Sequence, residues 1–342
     1  MHSSWPQISD AMLSSTGCEY YSDILATSLK FESVLTRTLS PLQSLSNIFN
    51  SLAPSSPVRE TVFLALVDVA ASNDELDLLS PALASLPHWL AQWNIPETRK
   101  AAVLERVAIK LESASPVKAY DFRVAHLQYL SSNPAAAGSD ASVSHQSAEK
   151  AIAAALKLPK VFDFDTLLKL SIIDALQTSS PAVYQLLKVL VTGSLADYRQ
   201  WASSSSAELS RLGVEAEVVE RKVRLLEIAV LCSKSFEAVS ATGGSGAEVP
   251  YSAISQAIQV DESQVESWVI DVIRAGLVSG KLSQVTSAFR VYRSTYRTFG
   301  QQQWSLLEQR LSEWDKTIEA ILATLGSKYA LETTAAHEDD LH

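Results

Sequence analysis

The residues between 251 and 325 constrain the chain most, because their apolar spacing changes from helical to alternating and back within one short span. Residues 251–260 set Ile254, Ala257, Ile258 and Val260 on one helical stripe. Asp261 then occupies an N-cap slot with Gln264 at capping-box spacing, and Val265, Trp268, Val269, Val272 and Ile273 recur at helical intervals until Gly276. Beyond that glycine, residues 277–282 and 288–295 read as two strands joined by a polar loop. Helix, turn, helix and a two-stranded wing predict a winged helix over residues 250–299.

The helical period returns downstream. Trp304, Leu307, Leu311, Trp314, Ile318, Ile321 and Leu325 are separated by alternating steps of three and four, which is an a/d heptad seam over residues 301–326. A helix that docks on its own domain shows a broader apolar stripe, so a strict seam predicts packing against one or two other helices. Two sources for those helices are open at this level: the chain's own, or another chain's. Residues 327–342, which include Glu338, Asp339 and Asp340, are expected to be a solvated acidic tail.

Upstream, the pattern is helical almost throughout. Eleven glycines and twelve prolines are few for 342 residues, and the abundance of Ala and Leu favours an all-α dominated fold over a sandwich or barrel. Residues 1–19 are Ser-rich and aperiodic and are expected to be disordered. A helical repeat region is expected over residues 20–130, its first helix carrying Ile24, Leu25, Leu29, Val34 and Leu35. Helices follow at 42–52, 58–71, 75–83, 87–92, 96–112 and 116–130, then at 144–156, 165–176, 181–191, 195–201 and 214–239. Pro87, Pro96, Pro116 and Pro181 suit the first helical position, where a missing amide is harmless. Short connections predict antiparallel hairpins stacked as an irregular helical solenoid, which offers a surface and not a pocket. The loop at 131–144 marks the boundary to a second domain over 131–300, with helices at 144–240 ahead of the winged helix. Trp89, Trp93 and Trp268 are expected to be core anchors.

Composition excludes several function classes. The formal charge is −10, against a protein whose main work is gripping phosphate backbones. No run of about 18 uncharged apolar residues spans a bilayer, and residues 1–19 lack the basic and apolar regions of a signal peptide. Cys18 and Cys232 stand far apart, which fits a reducing compartment, and a cytoplasmic location is expected. The six histidines form no metal-ligand spacing. His126 on an apolar helix face reads as a core residue, and Asp165 beside Asp163 reads as a helix N-cap. Gly243, Gly244, Ser245 and Gly246 lack the lysine and preceding strand of a phosphate loop and read as a linker. No catalytic, cofactor or metal site and no small-molecule substrate is expected, so the chain is read as a non-enzyme.

A winged helix raises nucleic-acid binding. Its second helix carries Glu262, Glu266 and Asp271 against a lone Arg274, which repels phosphate. The wing differs: Arg290, Arg293 and Arg297 interleave with Tyr292 and Tyr296, a pattern able to follow an RNA backbone and stack bases. The competing reading points the same side chains to solvent or to acids of a neighbouring subunit.

The runs WVIDVIRAGLVSGKLSQ (268–284) and FRVYRSTYRTFGQQQW (289–304) resemble the end of a PCI domain, the family shared by the proteasome lid, the COP9 signalosome and translation initiation factor three. Within that family the wording at 293–304, with residues 44–71 and 91–95 upstream, is similar to the subunit m members of initiation factor three. Those members are expected to carry more helical sequence ahead of Leu45. The resemblance implies a non-catalytic scaffold subunit of that complex, partnered by other PCI and MPN subunits and by the small ribosomal subunit. Its winged helices would associate side by side through their wings, and its C-terminal helix would enter a shared bundle. The alternatives are a COP9 signalosome subunit of the same architecture and an RNA-binding winged-helix protein.

Overall fold

The computed structural model describes residues 41–133, 136, 141–240 and 247–339. The expected disorder of 1–19, the helix expected from residue 20 and the glycine cluster at 243–246 lie outside the described residues. Within them the chain is a run of helical hairpins followed by a winged helix and a long C-terminal helix. It divides into two units, one of residues 1–161, 166–187 and 205–219, the other of residues 162–165, 188–204 and 220–342.

The first unit opens with α1 (Pro41–Ser51) and α2 (Val58–Ser72), which pack on one another, then a 3-10 turn (Leu76–Leu79) leading into α3 (Ser80–Gln92). After α4 (Glu97–Ala114) and α5 (Pro116–Ser132), a tightly packed pair, come α6 (Ala141–Lys157), the single turn α7 (Asp165–Leu168) and α8 (Ser171–Ser179). Phe49, Phe63, Trp89 and Trp93 form the aromatic centre of the core, with ring centroids 4.9 Å apart for Phe49 and Trp89. Such pairs add to burial by edge and face complementarity. The Arg59 guanidinium lies 4.5 Å from the Phe49 centroid and donates to the Phe49 carbonyl. His126 is buried, and burial holds its pKa below the ordinary value, as expected of a neutral core imidazole.

Several boundaries differ from the sequence expectation. Pro87 does not start a helix but sits inside α3, and Pro96 is the residue before α4 instead of its first. The single helix expected at 165–176 is two, because Leu170 is extended (ψ 131°) between α7 and α8. The loop expected at 131–144 is shorter, with α5 running to Ser132 and Ser144 buried within α6.

The helices α9 (Pro181–Thr192), α10 (Leu195–Arg211) and α11 (Ala216–Ser240) follow. Helix α10 is longer than expected and breaks at Ser205 (φ −133°, ψ 25°). In the second unit the winged helix comprises β1 (Ala247–Pro250), α12 (Tyr251–Ile258), a 3-10 turn (Glu262–Gln264), α13 (Val265–Arg274), β2 (Val278–Ser283) and β3 (Ala288–Ser294). The wing has three strands, not two: β1 directly follows the linker read at 243–246 and pairs antiparallel with β3, giving the order β1-β3-β2. Val265, Val269, Val272, Phe289 and Val291 are all fully buried, while Trp268 is half-buried beneath the guanidiniums of Arg221 and Arg224. The expected capping box does not form. Asp261 offers its backbone carbonyl, at 2.9 Å, to Gln264 N–H, and its side chain makes no cap bond. The end of α13 is as expected: Gly276 has φ 76°, with Gly276 N–H on the Ile273 carbonyl and Leu277 N–H on that of Val272. That pair of bonds is a Schellman cap, and the positive φ favours glycine.

The last element is α14 (Gln301–Asp339). The tail expected from residue 327 is helical as far as Asp339, since its Ala, Leu, Glu and Lys residues are helix formers uninterrupted by Gly or Pro after Gly326.

Candidate functional site

The start of α14 is fixed by its local sequence. Gly300 precedes the first helical residue, and Gln303 reaches back so that its Oε1 accepts Gly300 N–H at 3.1 Å, the returning half of a capping box. Tyr296, Phe299 and Trp304 form an edge-on aromatic run, 6.1 Å and 4.9 Å between centroids. The Arg310 guanidinium lies 5.5 Å from the Phe236 ring centroid on α11.

Past this base the seam is bare. Trp304, Leu307, Leu311, Trp314, Ile318, Ile321 and Leu325 are all exposed, from 39% at Leu307 to 67% at Trp314, and Leu322 beside them is exposed as well. Single exposed apolar residues are ordinary on a protein surface, but a contiguous stripe along a helix marks an interaction surface. At 1.5 Å per residue, α14 is roughly 58 Å long.

The wing separates the residues that the sequence grouped. Arg290, Tyr292 and Arg293 are exposed on β3. Arg297 is not on the wing surface. Its Nε donates to the Leu190 carbonyl at 2.6 Å, and its Nη1 and Nη2 donate to the carbonyls of Gly193 and Val189 at 2.7 Å and 2.6 Å. These carbonyls close the C-terminal end of α9, where orphan acceptors and the helix dipole both favour a cation. Burial pushes the Arg297 pKa down to about 10, opposed by the Glu227 charge, so the group is still cationic at neutral pH. Tyr296 also turns inward, its hydroxyl interacting with Glu237, and burial raises its pKa. Both side chains are thus engaged by groups of the chain itself. Lys281, which the sequence reading did not single out, stands directly opposite Arg290 in the β2–β3 register and is exposed.

Other polar groups have structural roles. On α13, Asp271 accepts from Arg221 at 2.6 Å, and Glu266 accepts from Tyr251 and Gln284. A shallow depression lined by Ser142, His145, Gln146 and Glu149 has its carboxylate engaged by Arg211 at 2.7 Å, which holds the Glu149 pKa below the usual range. Among the described residues no group of His, Cys, Asp or Glu is arranged to hold a metal, and no helix is long and apolar enough to cross a membrane.

The PCI domain profile matches residues 206–293, and the profile described as eIF3 subunit M, C-terminal helix, matches residues 297–325. The chain is similar to eukaryotic translation initiation factor 3 subunit M of Emericella nidulans, 34% identical over 91% of this chain and 67% of the relative. The protein of the same name from Phaeosphaeria nodorum is 33% identical over 84% of this chain and 63% of the relative. That from Aspergillus fumigatus is 32% identical over 95% and 68%. The chain thus spans about two thirds of the length of the curated relatives it matches.

Proposed function

The chain belongs to the family of subunit M of eukaryotic translation initiation factor 3, and from that premise we propose that it is a non-catalytic scaffold subunit of that complex in the cytoplasm. It supports assembly of the complex on the small ribosomal subunit, where mRNA and initiator tRNA are recruited. Its partners are other PCI and MPN subunits.

The observation that carries this reading is the exposed seam of α14. Seven apolar residues at heptad spacing, each more than a third exposed, are an unfinished coiled-coil core. Burial of apolar area at about 25 cal/mol per Å² makes helix-on-helix association the strongest use of such a surface. The edges of the three-stranded wing sheet, β1 and β2, offer a second contact through strand addition.

The test is affinity purification of the tagged chain from a gentle lysate, with mass spectrometry of what accompanies it and a sucrose gradient in parallel. Recovery of initiation factor three subunits, with part of the pool sedimenting with small ribosomal subunits, is the expected result. Signalosome subunits without ribosomal sedimentation would overturn it.

A further inference from the structure

We propose that the outer face of the wing is a binding site for single-stranded RNA, built from Lys281, Arg290 and Arg293 around the ring of Tyr292. The site stands on the sheet register and is independent of the α14 seam.

An irregularity in β3 creates it. Gly280 pairs with Val291 and Ser279 with Arg293, so β3 advances two residues while β2 advances one, and Tyr292 is the extra residue of a β-bulge. In a regular strand Arg293 would fall on the face of Phe289 and Val291, both fully buried. The bulge returns it to the face of Arg290, opposite Ser279 and in line with Lys281, and all of these residues are exposed.

The cations on this face are unspent. Among the described residues the side chains of Lys281, Arg290 and Arg293 form no ion pair or hydrogen bond. Lys281 and Arg290 face each other directly, and like charges so placed weaken a sheet. Glu248 on β1 is the register partner of Arg290 on the other side of β3 and bounds the patch without an ion pair to it. A chain of net charge −10 therefore carries an excess of positive charge on one small face, three cations against the single carboxylate of Glu248, and a phosphate backbone is the polyanion that relieves it. Tyr292 distinguishes RNA from an acidic protein segment. Tyr292 is 44% exposed, next to Arg293 and two residues from Arg290 along β3, placed to stack on a base while the cations follow the phosphates.

The test is fluorescence anisotropy of a labelled oligouridylate titrated with the full chain over a series of salt concentrations. The wild type should bind saturably and lose affinity as salt rises. Combining Lys281→Thr, Arg290→Thr and Arg293→Thr should weaken binding about ten-fold or more and reduce the salt slope by about 2, since each single-strand phosphate contact contributes about 0.7. Tyr292→Ala should weaken binding several-fold and leave the slope unchanged, while Lys316→Thr on α14 should change neither. Because threonine suits strands and the like-charged pair is removed, the triple variant should melt at or above the wild-type temperature. Failure of the wild type to bind, or unchanged binding by the triple variant or by Arg293→Thr alone, overturns the proposal. So does binding of a polyglutamate peptide to this face in place of the oligouridylate.

Discussion

Arg297 donates from Nη1 to the Gly193 carbonyl at 2.7 Å, joining the segment that leads into the C-terminal helix to the end of α9. Two further bonds, to Val189 and Leu190, use the same guanidinium. Arg297→Ala would leave these carbonyls without their donor, and we expect a loss of about 3 kcal/mol in urea unfolding. Arg297→Lys should recover only part of it, because an ammonium cannot span three carbonyls as a planar fork does. A wild-type urea midpoint for Arg297→Ala would show that the clamp contributes nothing.

The seam of α14 predicts the opposite pattern. Leu311 and Ile318 are 53% and 55% exposed, so neither contributes to the core of its own chain. Leu311→Asp combined with Ile318→Asp should change unfolding free energy by less than about 0.5 kcal/mol per site. The same variant should fail to retain the other subunits in affinity purification. A melting temperature lowered by many degrees would mean that the helix packs on its own chain, and the heptad argument would fail.

These two residue sets show what a sequence makes legible. The seam is a local periodicity, and α14 carries it without help from distant residues. The stop at Gly276 is equally local, since one backbone angle favours the residue type. Arg297 falls with the wing in the sequence because it closes a run of Arg and Tyr residues begun on the strand, whereas β3 ends at Ser294 and the acceptors of Arg297 lie 104 to 108 residues away. Strand β1 was missed because four residues, Ala247–Pro250, carry too short an alternation to stand out without β3 beside them. Lys281 becomes meaningful only through a register that the bulge sets. Local physics was readable and pairing between distant segments was not.

Lys222 on α11 gives a prediction in pH. Its side chain is buried, with the amine 5.5 Å and 5.6 Å from the ring centroids of Phe162 and Phe164, and burial pushes its pKa down to about 7. An unfolded lysine titrates near 10.4, so between about pH 7 and pH 10 the unfolded chain binds the extra proton and the folded chain does not. Stability from this group therefore rises with pH across that window, by roughly 1.4 kcal/mol per unit in its middle. Lys222→Met should remove that slope, measured as the difference between the two unfolding curves at each pH. Parallel curves would show that Lys222 titrates normally in the folded chain.

Gly280 is the residue on which the wing's outer face depends. A Cβ placed there would stand 2.3 Å from the Arg290 carbonyl oxygen and 2.7 Å from the Phe289 ring, so the position admits no side chain without movement of β3. Phe289 is fully buried and its ring cannot yield into empty space, so the strain must go into the strand pairing. Gly280→Ala should cost about 2–3 kcal/mol in unfolding free energy. Because Gly280 pairs with Val291 immediately before the bulge, the strain also acts on the register that turns Arg293 outward. Amide hydrogen exchange should therefore quicken in β2 and β3 while α1 to α5 keep wild-type protection. An unchanged exchange pattern in the wing would mean that β3 accommodates the methyl group, and that the close approach at Gly280 does not hold the register.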